Sequence, residues 1–295
     1  MQSADFLSAV FFYLKEGENL NQNWIVENLN NAFSTWNGKL DELWGLVTTG
    51  PQTFKGGAVW SVMQTLHNGM VGIGYALVVL FFAISLCKNT MNFHELKRPE
   101  AAIHYFLRFV AAKALVGYGM DIMLNVFSIC NGIVTDMADS MGGISEAMVS
   151  LPAEMQTAIE NVGFLASIPL WLVTILGSLF ITVLSFVMIL TVYGRFFRLY
   201  MYTALAPLPL AAFAGESTQS VGISFLKSYV GVCLEGAVIV LACVIYSAFV
   251  STPTVTSGEA TTIVWSFLAE TVFNMLVLVG LIKGSDRIIH EMMGL

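Results

Sequence analysis

The chain has 295 residues, of which 56% are hydrophobic and only 11% are charged, and its formal net charge is −7. Because soluble domains carry about 25% charged residues, this composition excludes an ordinary water-soluble domain and predicts an all-α integral membrane protein. The N-terminus lacks a basic segment followed by a compact apolar run, so we expect no cleavable signal peptide. The four cysteines have neither disulfide nor zinc spacing and are expected to be small buried residues: Cys87, Cys130, Cys233 and Cys243.

Residues 1–67 are more polar than the rest and are predicted to form an outward-facing region of amphipathic helices. Apolar residues recur at helical spacing from Phe6 to Leu14 and again from Leu29 to Trp44. Polar residues interrupt both stretches too often for a membrane span, so helices at the membrane interface, or packed on a partner, fit better. Gly50-Pro51 and Gly56-Gly57 indicate turns after them.

Residues 68–295 are predicted to form a polytopic membrane domain. A hydrocarbon core of about 30 Å requires roughly 20 apolar residues in a helix. Five stretches meet this requirement: 68–87, 103–134, 162–194, 228–250 and 263–282. We expect the second to be one continuous helix, with Gly117 and Gly119 allowing close contact with a neighbouring helix. The third span belongs to an uncharged run that ends at Arg195 and Arg198, where we expect a basic corner.

The segment 199–215 is uncharged like the spans but contains Pro207 and Pro209. Each proline removes an amide donor, and its ring clashes with the preceding turn, so a helix cannot continue undisturbed. We expect this broken segment to re-enter the membrane or to lie at its interface. Non-helical backbone at that depth must be shielded by protein or water.

The basic residues beyond residue 67 orient the chain. Nine of them cluster at alternate ends of the spans: Lys88, Lys97, Arg98, Arg108, Arg195, Arg198, Lys227, Lys283 and Arg287. Because cationic residues are retained on the cytoplasmic side, these ends are predicted to face the cytoplasm of a cell whose plasma membrane the chain crosses. The N-terminus and the acidic residues 135–160 then lie outside, and the C-terminus lies in the cytoplasm.

Motifs for catalysis are incomplete. The run from His94 to Arg98 begins like a zinc-protease helix but has arginine where the second histidine is required, so we expect no enzyme, no metal site and no cofactor other than a candidate bound phospholipid. Ionisable residues inside the spans are better functional candidates, since a charge in lipid costs several kcal/mol unless it is shielded. They are Lys113, Asp121, Glu235 and Glu270.

We predict a partner for one of these residues and leave alternatives for two. Glu235 is expected to pair with Arg108 or Lys113, clamping the second and fourth spans together. Lys113 could instead extend its ammonium group toward the cytoplasm. Glu270 could line a pore, contact another subunit, or form a structural hydrogen bond in its protonated form.

The stretch from Arg195 to Gly215 resembles the TrbL-like polytopic membrane subunits of conjugative type IV secretion systems, especially the Gram-positive versions. A span ending in arginine, an Ala-Pro-Leu-Pro break and a lysine-bearing entry into the next span carry the resemblance; the residues are Arg195, Arg198, Ala206, Pro207, Pro209, Gly215 and Lys227. The resemblance implies a platform or channel subunit that forms a homo-oligomeric ring, with a pentamer as one candidate stoichiometry. It also implies partner ATPases, extracellular channel components, membrane lipids and transient contact with DNA or protein cargo.

Two other functions remain open. A secondary transporter or ion channel would explain a discontinuous helix and buried acids, although five spans do not divide into two repeats and no second proline-broken span matches the first. A membrane scaffold without a pore would also fit the architecture.

Overall fold

The computed structural model describes residues 2–90, 99–140, 148–160, 162, 164–249 and 260–294. The described residues are 92% helical and contain no strand, which confirms the all-α fold. The incomplete zinc-protease motif from His94 to Arg98 lies outside these ranges. In chain order the helices are α1 Gln2–Thr48, α2 Ala58–Thr90, α3 Pro99–Gly117, α4 Gly119–Ser140, α5 Ala153–Glu160, α6 Phe164–Leu205, α7 Pro207–Ala211, α8 Gln219–Phe249 and α9 Ala260–Met293.

Four of the described helices are long and apolar enough to cross a membrane, and a bent pair would make a fifth span. The four are Phe54–Lys88, Ser167–Leu205, Gln219–Phe249 and Thr262–Met293. The pair is Ile103–Gly117 with Gly119–Asp139, and its two helices meet at 72°. The chain is therefore a multi-pass membrane protein.

The second predicted span is not the continuous helix that we expected, because α3 ends at Gly117 and α4 begins at Gly119. Packing on both sides explains the bend. A Cβ atom at Gly117 would lie 2.8 Å from the Tyr75 hydroxyl, and one at Gly119 would lie 3.2 Å from Leu210 Cδ1. Two glycines with low helix propensity thus allow the chain to turn between close neighbours. The expectation of close contact at these glycines is confirmed.

The basic corner predicted after residue 194 is also wrong, because α6 continues without a break to Leu205. Its 42 residues make a helix of about 63 Å, roughly twice the thickness of a hydrocarbon core. No proline follows Gly194 until Pro207. The helix therefore carries Arg195 and Arg198 along its side, and Arg195 is fully buried.

The chain forms two compact units, each built from three segments. The first unit comprises Met1–Trp44, Met141–Thr191 and Leu241–Lys283. The second comprises Gly45–Ser140, Val192–Val240 and Gly284–Leu295. Helix α2 runs through residue 67 without interruption.

In the first unit, α1 is one helix and not the separate amphipathic helices that we expected. From residue 24 onward its apolar face is buried within the chain, with Trp36 fully enclosed. The Asn28 amide donates to the Ser178 hydroxyl on α6 at 3.1 Å, and Phe33 meets Phe267 of α9 edge to face. The apolar face of this part of α1 therefore packs on its own chain.

In the second unit, α7 and the 3₁₀ turn Ala212–Ala214 are surrounded by protein. Pro207, Leu210 and most of the alanines of this segment are buried. A Cβ atom at Gly74 of α2 would lie 2.9 Å from the Pro207 carbonyl oxygen, so the two backbones are in close contact. The proline segment is helical and not extended, since Pro207 occupies the first turn of α7, where a missing amide donor is tolerated.

The turns predicted before α2 are confirmed. The chain leaves α1 at Thr48, and Gly56 and Gly57 adopt φ angles of 72° and 78°. Positive φ is readily available only to glycine, which explains the residue type at this turn.

Candidate functional site

An ion-pair cluster joins α6, α8 and α9 within the second unit. The Arg198 Nη2 atom on α6 lies 2.7 Å and 2.8 Å from the two carboxylate oxygens of Glu235 on α8. Its Nη1 atom lies 2.5 Å from Asp286 Oδ1 on α9. The Ser285 hydroxyl also donates to Glu235 Oε1 at 3.2 Å. One arginine side chain therefore links three long helices.

Glu235 is 1% exposed, so its charge has been removed almost completely from solvent. An isolated buried carboxylate costs several kcal/mol, and this cost is offset only where a counter-ion and hydrogen bonds are present. Arg198 is the counter-ion of Glu235, and the Ser285 hydroxyl donates a further hydrogen bond to it. The predicted pairing of Glu235 with Arg108 or Lys113 is therefore wrong.

The residues proposed for that pairing have other environments. The Arg108 Nη2 atom donates to Gln219 Oε1 at 2.9 Å, linking α3 to the start of α8. Lys113 is exposed on α3. Arg198, and not Arg108 or Lys113, pairs with Glu235, because the long, unbroken α6 carries its guanidinium alongside α8.

Arg195, which precedes Arg198 by about one turn of α6, donates to backbone carbonyl oxygens. Its three nitrogens bind the Val232 carbonyl at 3.3 Å, the Cys233 carbonyl at 3.1 Å and the Val47 carbonyl at 3.4 Å. A Cβ atom at Gly236 would lie 2.7–2.8 Å from three guanidinium atoms. A side chain at position 236 would therefore require the buried guanidinium to shift.

The break after α6 has its own polar contact. Pro207 has no N–H, so the Thr203 carbonyl four residues earlier lacks its usual helical donor. The His67 Nδ1 atom of α2 lies 2.7 Å from this oxygen, and the imidazole is buried. A carbonyl oxygen only accepts, so His67 donates from Nδ1. The neighbouring helix thus supplies the hydrogen bond that the proline removes.

The other predicted site residues are not part of the ion-pair cluster. Pro209 lies within α7, and Lys227 is exposed on α8. Asp121 is exposed at the start of α4, where it lines a cavity. Glu270 is exposed on α9 in a candidate membrane span.

Four residues of these contacts were missed from the sequence: His67, Gly236, Ser285 and Asp286. A sequence signal existed for two of them. His67 directly precedes the predicted first span, and Gly236 follows the intramembrane Glu235. Asp286 stands between Lys283 and Arg287, so no sequence pattern singles it out as a partner for Arg198.

The arrangement is suited to holding helices together. Arg195, Arg198, Glu235 and Asp286 carry formal charges that cancel. Among the described residues, no group of three His, Cys, Asp or Glu side chains is placed to hold a metal ion.

A family model described as TrbL/VirB6 plasmid conjugal transfer like protein matches residues 36–207, more than half of the chain. No curated protein and no solved structure matches the chain. The matched region includes His67, Arg195, Arg198 and Pro207, whereas Glu235 and Asp286 lie beyond it. The chain therefore belongs to the TrbL/VirB6 plasmid conjugal transfer-like family and is a multi-pass membrane subunit of a conjugal transfer type IV secretion system.

Proposed function

We propose that the protein is a structural, channel-forming subunit that assembles into a homo-oligomeric ring in the plasma membrane. The ring would act as a platform for DNA or protein transfer, with partner ATPases and extracellular channel components attached to it. The N-terminus is outside and the C-terminus is cytoplasmic in this proposal. The arrangement of basic residues at alternate span ends supports this orientation.

The observation that carries the proposal is the exposure of α2. Only 17% of its most apolar window is buried, the lowest fraction among the four single-helix spans of the described ranges. One side of the helix contacts the end of α6 through His67 and contacts α7 through Gly74. The rest of the helix presents apolar side chains to its surroundings: Val62, Leu66, Ile73, Val79, Leu80 and Ile84.

Two glycines of α2 favour a neighbouring subunit over lipid alone. A Cβ atom at Gly69 or Gly72 would meet nothing within 4 Å in the described part of the chain, whereas Gly74, Gly117 and Gly119 are already in close contact inside the subunit. Small residues on a membrane helix allow another helix to approach closely. We therefore assign Gly69 and Gly72 to the contact between copies.

The test is the mass of the detergent-extracted protein and its appearance in electron micrographs. We expect a ring for the native chain, and a shift to smaller species for Gly69→Leu and Gly72→Leu. Gly280→Leu is the matched control, because Gly280 is also an exposed glycine in a candidate span, and a Cβ atom added there has no described neighbour within 4 Å. A native protein that is monomeric, or a control that dissociates equally, would contradict the proposal.

Channel and scaffold roles differ in their response to polar substitutions. If the ring conducts cargo, Glu270→Gln should lower conjugative transfer while the ring still assembles. A scaffold would tolerate this change, since Glu270 does not belong to the ion-pair cluster. Transfer frequency measured beside ring assembly separates the two roles.

One observation favours a secondary transporter as a second candidate. The bend at Gly117–Gly119 is a second discontinuity, and Gly119 lies against Leu210 of the proline-broken segment. Discontinuous helices in transporters form substrate and ion sites. Substrate-coupled ion flux by a monomer in liposomes would support this candidate over the ring.

A further inference from the structure

A polar cavity of about 520 Å³ lies beside the N-terminal half of α4. Its polar lining comes from the loop before α2 and from one side of α4: Gln52, Asp121, Asn125, Ser128 and Asn131. The remaining lining residues are Gly50, Pro51, Leu124 and Phe127. The cavity therefore presents one carboxylate and several neutral polar groups, and no basic side chain is among its described lining residues.

One atom at this cavity indicates bound water. The Asn131 Oδ1 atom is buried and accepts no hydrogen bond from the part of the chain that the structure describes. Its amide nitrogen donates to the Thr48 carbonyl at 3.3 Å, which fixes the side chain. Because buried polar atoms are normally satisfied, and because the cavity has room for several waters, a water molecule is the partner that fits.

The polar side of α4 continues beyond the cavity. Asn125, Ser128, Asp136 and Asp139 are exposed and lie within about 60° of Asp121 around a helix of 3.6 residues per turn. We call Asp121, Asn125, Ser128, Asp136 and Asp139 the α4 polar stripe. It is about 27 Å long at 1.5 Å per residue, and its five residues include three carboxylates and no base.

Such a stripe is costly against lipid. A charge at the centre of a bilayer costs several kcal/mol, so ionisable residues in spans face protein or water. The exposed Ile133 lies about 120° from Asp121 and about 60° from Asp136 around the helix, so an apolar side borders the stripe. The helix thus has one side suited to water and another suited to lipid or to a neighbouring apolar surface.

We propose that the α4 polar stripe lines a water-filled access path that prefers small cations and ends at the cavity beside the bend. The path opens at the Asp139 end of the helix. The path opens to the outside of the cell in the orientation proposed above. Only this direction, and not the path itself, rests on the proposed function.

The preference for cations follows from charge. Three carboxylates along a narrow path raise the local concentration of cations and lower that of anions. A nucleic-acid backbone carries a negative charge at every phosphate and would be repelled by this stripe. The ligands of the path are therefore water and hydrated monovalent cations, and not DNA.

Thiol accessibility in proteoliposomes tests the path. The parent carries Cys87→Ser, because Cys87 is the exposed cysteine and the other three are buried. Asn125→Cys and Ser128→Cys should react with a cationic trimethylammonium methanethiosulfonate at least about 10-fold faster than Ile133→Cys, since local cation enrichment is of this order. Equal reactivity at all three positions would place α4 in water, and no reaction at any would place the stripe in a dry contact; either result would overturn the proposal.

The charge preference has its own measurement. After normalisation to a free thiol, a trimethylammonium reagent should modify Asn125→Cys about 10-fold faster than a sulfonate reagent. Asp121→Asn should reduce this ratio, while Lys113→Gln on the neighbouring helix should leave it unchanged. Equal rates for the two reagents would refute a cation-preferring path.

The oligomeric state of the same samples separates this proposal from the proposed function. An unreactive stripe in an intact ring would remove the path and leave the ring. A reactive stripe in a monomer would support the path and contradict the ring.

Discussion

The Nδ1 atom of His67 lies 2.7 Å from the carbonyl oxygen of Thr203, the oxygen that Pro207 deprives of its helical donor. The contact links α2 to the end of α6 at the place where the membrane helix breaks. Because both groups are buried, the bond is shielded from competing water. A proline break in a membrane protein requires such a partner, and here α2 provides it.

We expect His67→Leu to lower the free energy of unfolding by about 1–3 kcal/mol, because the Thr203 carbonyl is then left buried without a donor. His67→Asn should retain most of the stability, since its amide can donate from nearly the same position. Unfolding by SDS in mixed micelles measures both.

The proline offers a further control on the same contact. Pro207→Ala restores an N–H that can reach the Thr203 carbonyl. The cost of His67→Leu should therefore be smaller in the Pro207→Ala background. Equal costs in the two backgrounds would show that His67 does not act through this carbonyl.

Removing Glu235 should be costly because it breaks a buried ion pair. We expect Glu235→Ala to lower the free energy of unfolding by about 3–5 kcal/mol, as for other buried pairs that lose one partner. Lys113→Ala is the control, since Lys113 is exposed, and it should change the stability by less than about 1 kcal/mol. Comparable losses of stability for both variants would contradict the structure and support a pair between Glu235 and Lys113.

A side chain at position 236 should displace the Arg195 guanidinium. Gly236→Ala would place a Cβ atom 2.7–2.8 Å from the Arg195 guanidinium, so we expect displacement of the arginine and a lower midpoint of thermal unfolding. Gly194→Ala, beside Arg195 on α6, meets nothing described within 4 Å and should be neutral or stabilising by up to about 1 kcal/mol because alanine favours helix. Destabilisation by the control and not by Gly236→Ala would contradict the steric argument.

Hydropathy and the positions of proline and glycine correctly predicted the features that depend on local sequence. The uncharged run before Arg195 is a membrane-length helix, Pro207 ends it, and Gly56 and Gly57 form a turn. These features follow from side-chain polarity and backbone geometry within a few residues. The pairing of Glu235 could not be predicted in this way, since Arg108, Lys113 and Arg198 all approach it from the same predicted side of the membrane.

The sequence alone therefore determined the class of the protein, an apolar all-α membrane chain, and the resemblance to the TrbL-like family, which the match over residues 36–207 supports. Only the tertiary structure decided that α6 passes through Arg195, that α3 and α4 bend at 72°, and that His67 completes the proline break. The physical reason is that hydropathy specifies how deep a residue lies, whereas the choice of partner depends on which helix faces lie beside one another. That choice is made by packing between segments far apart in the chain.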